Sequence, residues 1–163
     1  ANRRTVLSTA KLLGLVSPDA ALAESTMGTL KYSRNEIRLV GTLLQAHRAL
    51  MQNFEAIARS KTEQYHLFKQ VGPYFPALVL LALTTGFSLE QQRTLIETFL
   101  DPHSPIAHPK AILSGTELIQ TLDLESGPQI GALLHQIAIA QAEGLVITPK
   151  DAIAFIKNRL ERE

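Results

Sequence analysis

Cysteine is absent from the 163 residues, so the chain has no disulfide framework, thiolate metal site or cysteine nucleophile. Charge of one sign is scarce as well. Charged residues make up 19% of the chain and the formal net charge is +1, too near zero to announce a polyanionic partner. Long apolar runs are missing: the longest, Phe75 to Leu83, contains Pro76 and falls far short of the roughly 20 residues of a membrane span. The N-terminus lacks the long apolar core and small-residue cleavage site of a secretory signal. These absences predict a soluble, cytoplasmic chain with no membrane partner. Gly-Gly and Walker-type loops are absent too, as are strand-like alternation, internal repeats and low-complexity tracts.

What is present folds. Hydrophobic residues reach 45%, a share that a disordered chain does not have. Helix starts are dense. Ser17-Pro18-Asp19-Ala20 combines a cap with an early proline, and Ser33-Arg34-Asn35-Glu36, Ser88-Leu89-Glu90-Gln91 and Ser114-Gly115-Thr116-Glu117 are capping boxes. Thr148-Pro149-Lys150-Asp151 joins a cap, a proline and an acid at the positive end of the helix dipole. Gly14, Gly72, Gly86 and Gly144 read as stops. Helices are therefore expected near 3–13, 18–27, 33–50, 61–71, 74–85, 88–100, 115–122, 128–143 and 149–161, with 51–60 helical as well. The fold class is all-α.

Phe75 to Leu83, apolar on every side, is the predicted central helix. Ile130, Leu133, Leu134, Ile137 and Ala138 form one stripe, which should pack against Ala152, Ile153, Ile156 and Leu160. Three prolines within Asp101–Lys110 forbid a helix there. The expected division is a helical body at 1–100, a proline-rich connector at 101–112 and a helical tail at 113–163.

Chemistry-bearing constellations are few. The five histidines show no spacing that puts two ligands on one helical face. His103 and His108 could gather around an ion with Asp101, and His47 falls amid an apolar face, where a core histidine bonded to a neighbour is expected. Asp123-Leu124-Glu125 imitates a magnesium-binding carboxylate pair, but it lies in a turn without a supporting strand or phosphate loop. Glu90 and Arg93 read as a solvated pair. No catalytic or metal-ligating residue is assigned.

Charge is nonetheless uneven along the chain. Residues 1–60 carry eight Lys or Arg against four Asp or Glu, whereas residues 111–163 carry four against seven. Within the basic third, Arg34, Arg38 and Arg48 share an arc of roughly 80° on one helix at 100° per residue. Lys31, Arg3 and Arg4 could extend this stripe of phosphate donors. A second anion site is possible at Gly127-Pro128-Gln129-Ile130-Gly131, where a turn feeding a helix leaves backbone N–H groups outward; there Gly127, Gln129 and Gly131 are the candidates. Packing of the two flanking helices, with Gly131 permitting close approach, is the alternative use of that glycine.

Leu113-Ser114-Gly115-Thr116-Glu117-Leu118-Ile119, Gly127-Pro128-Gln129-Ile130-Gly131-Ala132-Leu133-Leu134, Ala140 to Gly144 and Thr148 to Ala152 follow one another in an order and spacing that resembles the C-terminal tail of bacterial CCA-adding tRNA nucleotidyltransferases and poly(A) polymerases. Thr29 to His47 and Leu67 to Leu83 are similar to the body helices of that family. The resemblance covers about residues 25–160. The family's catalytic head, with its Gly-Gly or Gly-Ser loop and paired aspartates, has no counterpart here, nor does the templating motif of its neck.

The resemblance implies an excised C-terminal piece that holds tRNA or another RNA while the head and neck domains of the parent chain perform the chemistry. Mg2+ and CTP or ATP would be bound by that head, and no cofactor by this chain. The alternative is an architectural helical domain mediating dimerisation or interdomain contacts through apolar surface such as Tyr74, Phe75 and Phe87.

Overall fold

The computed structural model describes residues 6–15 and 19–161. Among them are nine α-helices and no strand: α1 (Val6–Leu15), α2 (Ala20–Thr29), α3 (Arg34–Arg59), α4 (Lys61–Val71), α5 (Phe75–Thr84), α6 (Leu89–Leu100), α7 (Gly115–Leu122), α8 (Pro128–Glu143) and α9 (Pro149–Leu160). A 3₁₀ turn, Gly72–Tyr74, separates α4 from α5. The all-α class expected from the punctuation is the class observed.

The capping boxes work as read. Ser33 and Glu36, Ser114 and Glu117, and Thr148 and Asp151 each bond reciprocally across the first turn of α3, α7 and α9. Ser88 and Gln91 do the same before α6, at 2.8 and 3.1 Å. At α2 the cap is Asp19, whose Oδ1 accepts from the Leu22 N–H at 2.9 Å; Ser17 and Pro18 lie outside the described residues. Gly72, Gly86 and Gly144 close turns at positive φ, but Gly14 lies inside α1, which runs on to Leu15. A single glycine in a helix is a modest cost that neighbouring packing overrides.

The chain divides into two compact units, Ala1–Leu100 and Asp101–Glu163. In the first, α5 is the centre: Phe75, Ala77, Leu78, Val79, Leu81 and Ala82 are buried, and α1, α3, α4 and α6 pack around it. Phe75 is therefore core, 2% exposed, as the central-helix expectation requires and not the apolar surface that the architectural alternative would use; its ring lies 4.9 Å from those of Phe68 and Phe99. Phe87 is half-buried against Phe54, with centroids 4.9 Å apart. Tyr74 is half-buried. Residues 61–84 together reach the length and apolarity of a membrane span, but half of the most apolar window is buried within the unit. Long α3 continues to Arg59 through a kink at Asn53 (φ −133°, ψ 30°), so the expected helix at 51–60 is present to Arg59, and Ser60 is the extended cap shared with α4.

In the second unit, α7, α8 and α9 close around Leu118, Ile130, Leu133, Ile137, Ala152 and Ile156. The α8 and α9 stripes thus meet as the periodicity predicts. Burying Leu118 and Ile156 completely contributes about 1.5–3 kcal/mol each. The proline-rich segment that opens this unit is organised around buried Ser104. Its N–H donates to the Asp101 carbonyl at 3.1 Å, and its own carbonyl accepts from the His108 N–H at 2.9 Å.

Candidate nucleic-acid interface

The predicted basic stripe lies on α3. Its N-terminal end is set by the Ser33–Glu36 box, and its inner face is fixed by buried Val40, Leu43, Leu44, Ala46 and Leu50. Burial of that face leaves Arg34, Arg38 and Arg48 exposed. Arg38 donates to the Asn35 side-chain oxygen at 3.2 Å. Arg34 and Arg48 form no ion pair with any described residue. Lys31, exposed, stands in the turn between α2 and α3. Arg3 and Arg4 lie outside the described residues.

The stripe is not continuous. Gly41 falls about 20° from Arg34 on the helical wheel, inside the arginine arc, yet it is buried. The reason is α2, which packs along α3 and lays the Glu24 side chain where a Cβ on Gly41 would stand. Glu24 is the only charged residue in Ala20–Thr29. A carboxylate thus stands between the Arg34 and Arg38 pair and the single Arg48. This interruption escaped the sequence reading, although an isolated glutamate facing a mid-helix glycine was its available signal.

The second candidate site changes character. Gly127 is extended (φ 175°) at the start of α8, and no side chain caps that start. The Gln129 amide turns back to donate to the Glu125 carbonyl at 2.9 Å, and the Ile130 N–H is taken by the Gly127 carbonyl at 3.1 Å. Gly131 is exposed, with nothing within 4 Å of the place a Cβ would occupy. It therefore does not permit close approach. That role belongs to Gly115, whose Cβ would lie 3.3 Å from Ile130 Cγ2 and 3.7 Å from Leu134 Cδ1.

No three His, Asp or Glu among the described residues gather into a possible metal site. Asp101 Oδ1 instead accepts from the His103 N–H at 2.9 Å, a turn-stabilising bond. Asp123 is the left-handed residue that ends α7 (φ 50°), and both it and Glu125 are exposed. The residues present do not fit the magnesium and nucleotide chemistry that the resemblance assigns to a head domain. Arg93 and Glu90 form an exposed pair at 2.6 Å, worth a few tenths of a kcal/mol.

His47 is half-buried. Its Nε2 and the Thr85 hydroxyl share a hydrogen bond at 2.9 Å, and the Ala82 carbonyl lies 3.0 Å from that hydroxyl. Desolvation holds the imidazole below its ordinary pKa, so it joins α3 to the end of α5 in its neutral form.

Residues 7–156 match the family model described as "tRNA nucleotidyltransferase domain 2 putative". The chain belongs to this family. The CC-adding tRNA nucleotidyltransferase of Synechocystis sp. is 33% identical over 157 residues, covering 91% of the chain and 36% of that enzyme. The CC-adding tRNA nucleotidyltransferase of Thermus thermophilus is 29% identical, covering 90% and 33%. The A-adding tRNA nucleotidyltransferase of Deinococcus radiodurans is 27% identical, covering 87% and 34%. The chain thus spans about a third of the length of these curated relatives. No solved structure matches it. The family is the one that the linked motifs between Leu113 and Ala152 resemble.

Proposed function

We propose that this domain is the RNA-holding C-terminal region of a tRNA nucleotidyltransferase, and that it positions the acceptor RNA for head and neck domains elsewhere in the parent chain. The observation that carries this reading is the match of nearly the whole chain to a domain whose relatives are about three times as long. Addition of CC, A or a poly(A) run, with Mg2+ and CTP or ATP, is then work for the head. The setting is the cytoplasm, where tRNA is processed. The domain's part is electrostatic. Arg34, Arg38 and Arg48, with Lys31, grip phosphates, and their guanidinium groups offer bidentate donors. The backbone N–H groups at Gln129 and Gly131 form a secondary anion contact beside Gly127.

Titrating labelled tRNA with the domain over a salt series tests this. Affinity should fall as salt rises, with a log–log slope of about 0.7–0.9 per phosphate neutralised. Replacing Arg34, Arg38 and Arg48 with glutamine should weaken binding at low salt and flatten the slope by about 2–3. Stability should hold, because exposed substitutions typically cost under about 0.5 kcal/mol each. A triple variant that binds like the parent across the whole series would remove the arginines from the interface. A second reading, an architectural domain, draws on Leu22 of α2 and Leu30 just beyond its end, which are 57% and 63% exposed. It predicts salt-insensitive self-association in place of RNA binding.

A further inference from the structure

The turn from α2 into α3 carries two backbone hydrogen bonds. The Lys31 N–H donates to the Gly28 carbonyl and the Tyr32 N–H to the Met27 carbonyl, both at 3.0 Å. This pattern places its left-handed residue at Lys31, with φ +57°, where glycine is the unstrained choice. The lysine side chain contributes nothing to those bonds, and it forms no ion pair with a described residue. A strained lysine in a turn that glycine would close more easily points to a use for its charge.

That charge stands at an open, shallow surface hollow lined by Leu30, Lys31, Tyr32 and Glu36. Leu30 and Tyr32 give it an apolar and aromatic wall, and Lys31 gives it a cation. The Glu36 carboxylate is held in place by its Oε2, which accepts from the Ser33 N–H at 2.9 Å and the Ser33 hydroxyl at 2.8 Å. A bare anion does not suit such a lining, because the carboxylate opposes it. A nucleotide does. Bases pack on aromatic and apolar side chains, a phosphate takes the ammonium, and a fixed carboxylate accepts from an exocyclic amino group.

We propose that this hollow seats one unpaired nucleotide of the bound RNA, its phosphate on Lys31, its base against Leu30 and Tyr32, and an amino group of that base on Glu36. The proposal rests on the RNA-holding reading above and deepens it. Arg34, at the first position of α3, is exposed, as is Arg38 one turn on.

Lys31→Gly tests it with little risk to the fold, since glycine relieves the left-handed strain. The 163-residue chain should melt at the same or a higher temperature while its affinity for labelled oligocytidylate falls about fivefold at low salt. Its salt slope should become shallower by about 0.7, the loss of one single-strand phosphate contact. Lys31→Asn, also tolerated at positive φ, should reproduce the loss. The parent should prefer oligocytidylate, which carries an amino group, over oligouridylate, which does not. If Lys31→Gly binds tRNA and oligocytidylate like the parent while tRNA binding stays salt-dependent, the hollow is overturned and the RNA-holding reading stands. Equal affinity for the two oligonucleotides removes Glu36 from base recognition. A parent chain that binds no RNA at any salt ends both.

Discussion

Replacing Gly131 with alanine should stabilise the domain, the opposite of what a close-packing role would give. Gly131 is the fourth residue of α8, at an ordinary φ and on an exposed face. An added methyl there meets open space, with no atom within 4 Å. The whole effect is then backbone entropy and helix propensity, a gain of about 0.5–1 kcal/mol. In a thermal melt this corresponds to about 1–4 °C for the whole chain, or about 2–8 °C if the second unit unfolds by itself. Gly115→Ala is the control. Its Cβ would stand 3.3 Å from Ile130 Cγ2, so α8 must yield by a few tenths of an ångström, and its position at the first turn of α7 offers little propensity gain. Stability there should stay level or fall. Urea unfolding followed by far-ultraviolet circular dichroism reads both variants. A loss of more than about 0.5 kcal/mol at Gly131, or an equal gain at both glycines, would refute this assignment of the close contact to Gly115.

Asp123→Gly should leave stability unchanged or raise it by up to about 1 kcal/mol, because the residue occupies a left-handed cap at φ 50°; a larger loss in a urea titration would show its carboxylate to be engaged. Stability should also fall on acidification in two stages. His47, with its pKa lowered from 6.5 by burial, contributes stability that is complete above about pH 6.5 and is lost as pH falls toward the folded value. Glu117 and Asp151, held below 4.5 and 3.8 by hydrogen bonds from Ser114 and Thr148, lose theirs lower, as pH drops through their folded values. Chemical denaturation across pH should show the upper stage disappear in His47→Gln, and its persistence there would assign it to another group.

Helix starts were legible because capping is local: a serine or threonine with a glutamate, glutamine or aspartate three residues on forms its bonds within one turn, whatever the rest of the chain does. The central helix was legible in Phe75 to Leu83 because only burial accommodates an all-apolar surface. Gly14 misled for the complementary reason. A glycine marks a stop only if the chain turns there, and α1 continues to Leu15, with Leu12 and Leu13 buried beneath it. The surface that the architectural alternative would use loses Phe75, because the rings of Phe68 and Phe99 cover it.

The candidate interface divides in the same way. That Arg34, Arg38 and Arg48 lie on one side of a helix follows from a period of 3.6 residues and needs no tertiary information. That Glu24 comes to rest beside Gly41 between them depends on how α2 crosses α3, a contact between residues 17 apart in sequence. Gly131 and Gly115 are equally plausible as sites of close approach in one dimension, and only the direction from which α8 meets α7 separates them. The sequence by itself determined the helices, the faces they bury and the family, since each of these is written in short-range spacing. Tertiary structure alone decided which helix covers which stretch of α3 and which glycine carries the contact. These are properties of surfaces brought together from separate parts of the chain, and no local period encodes them.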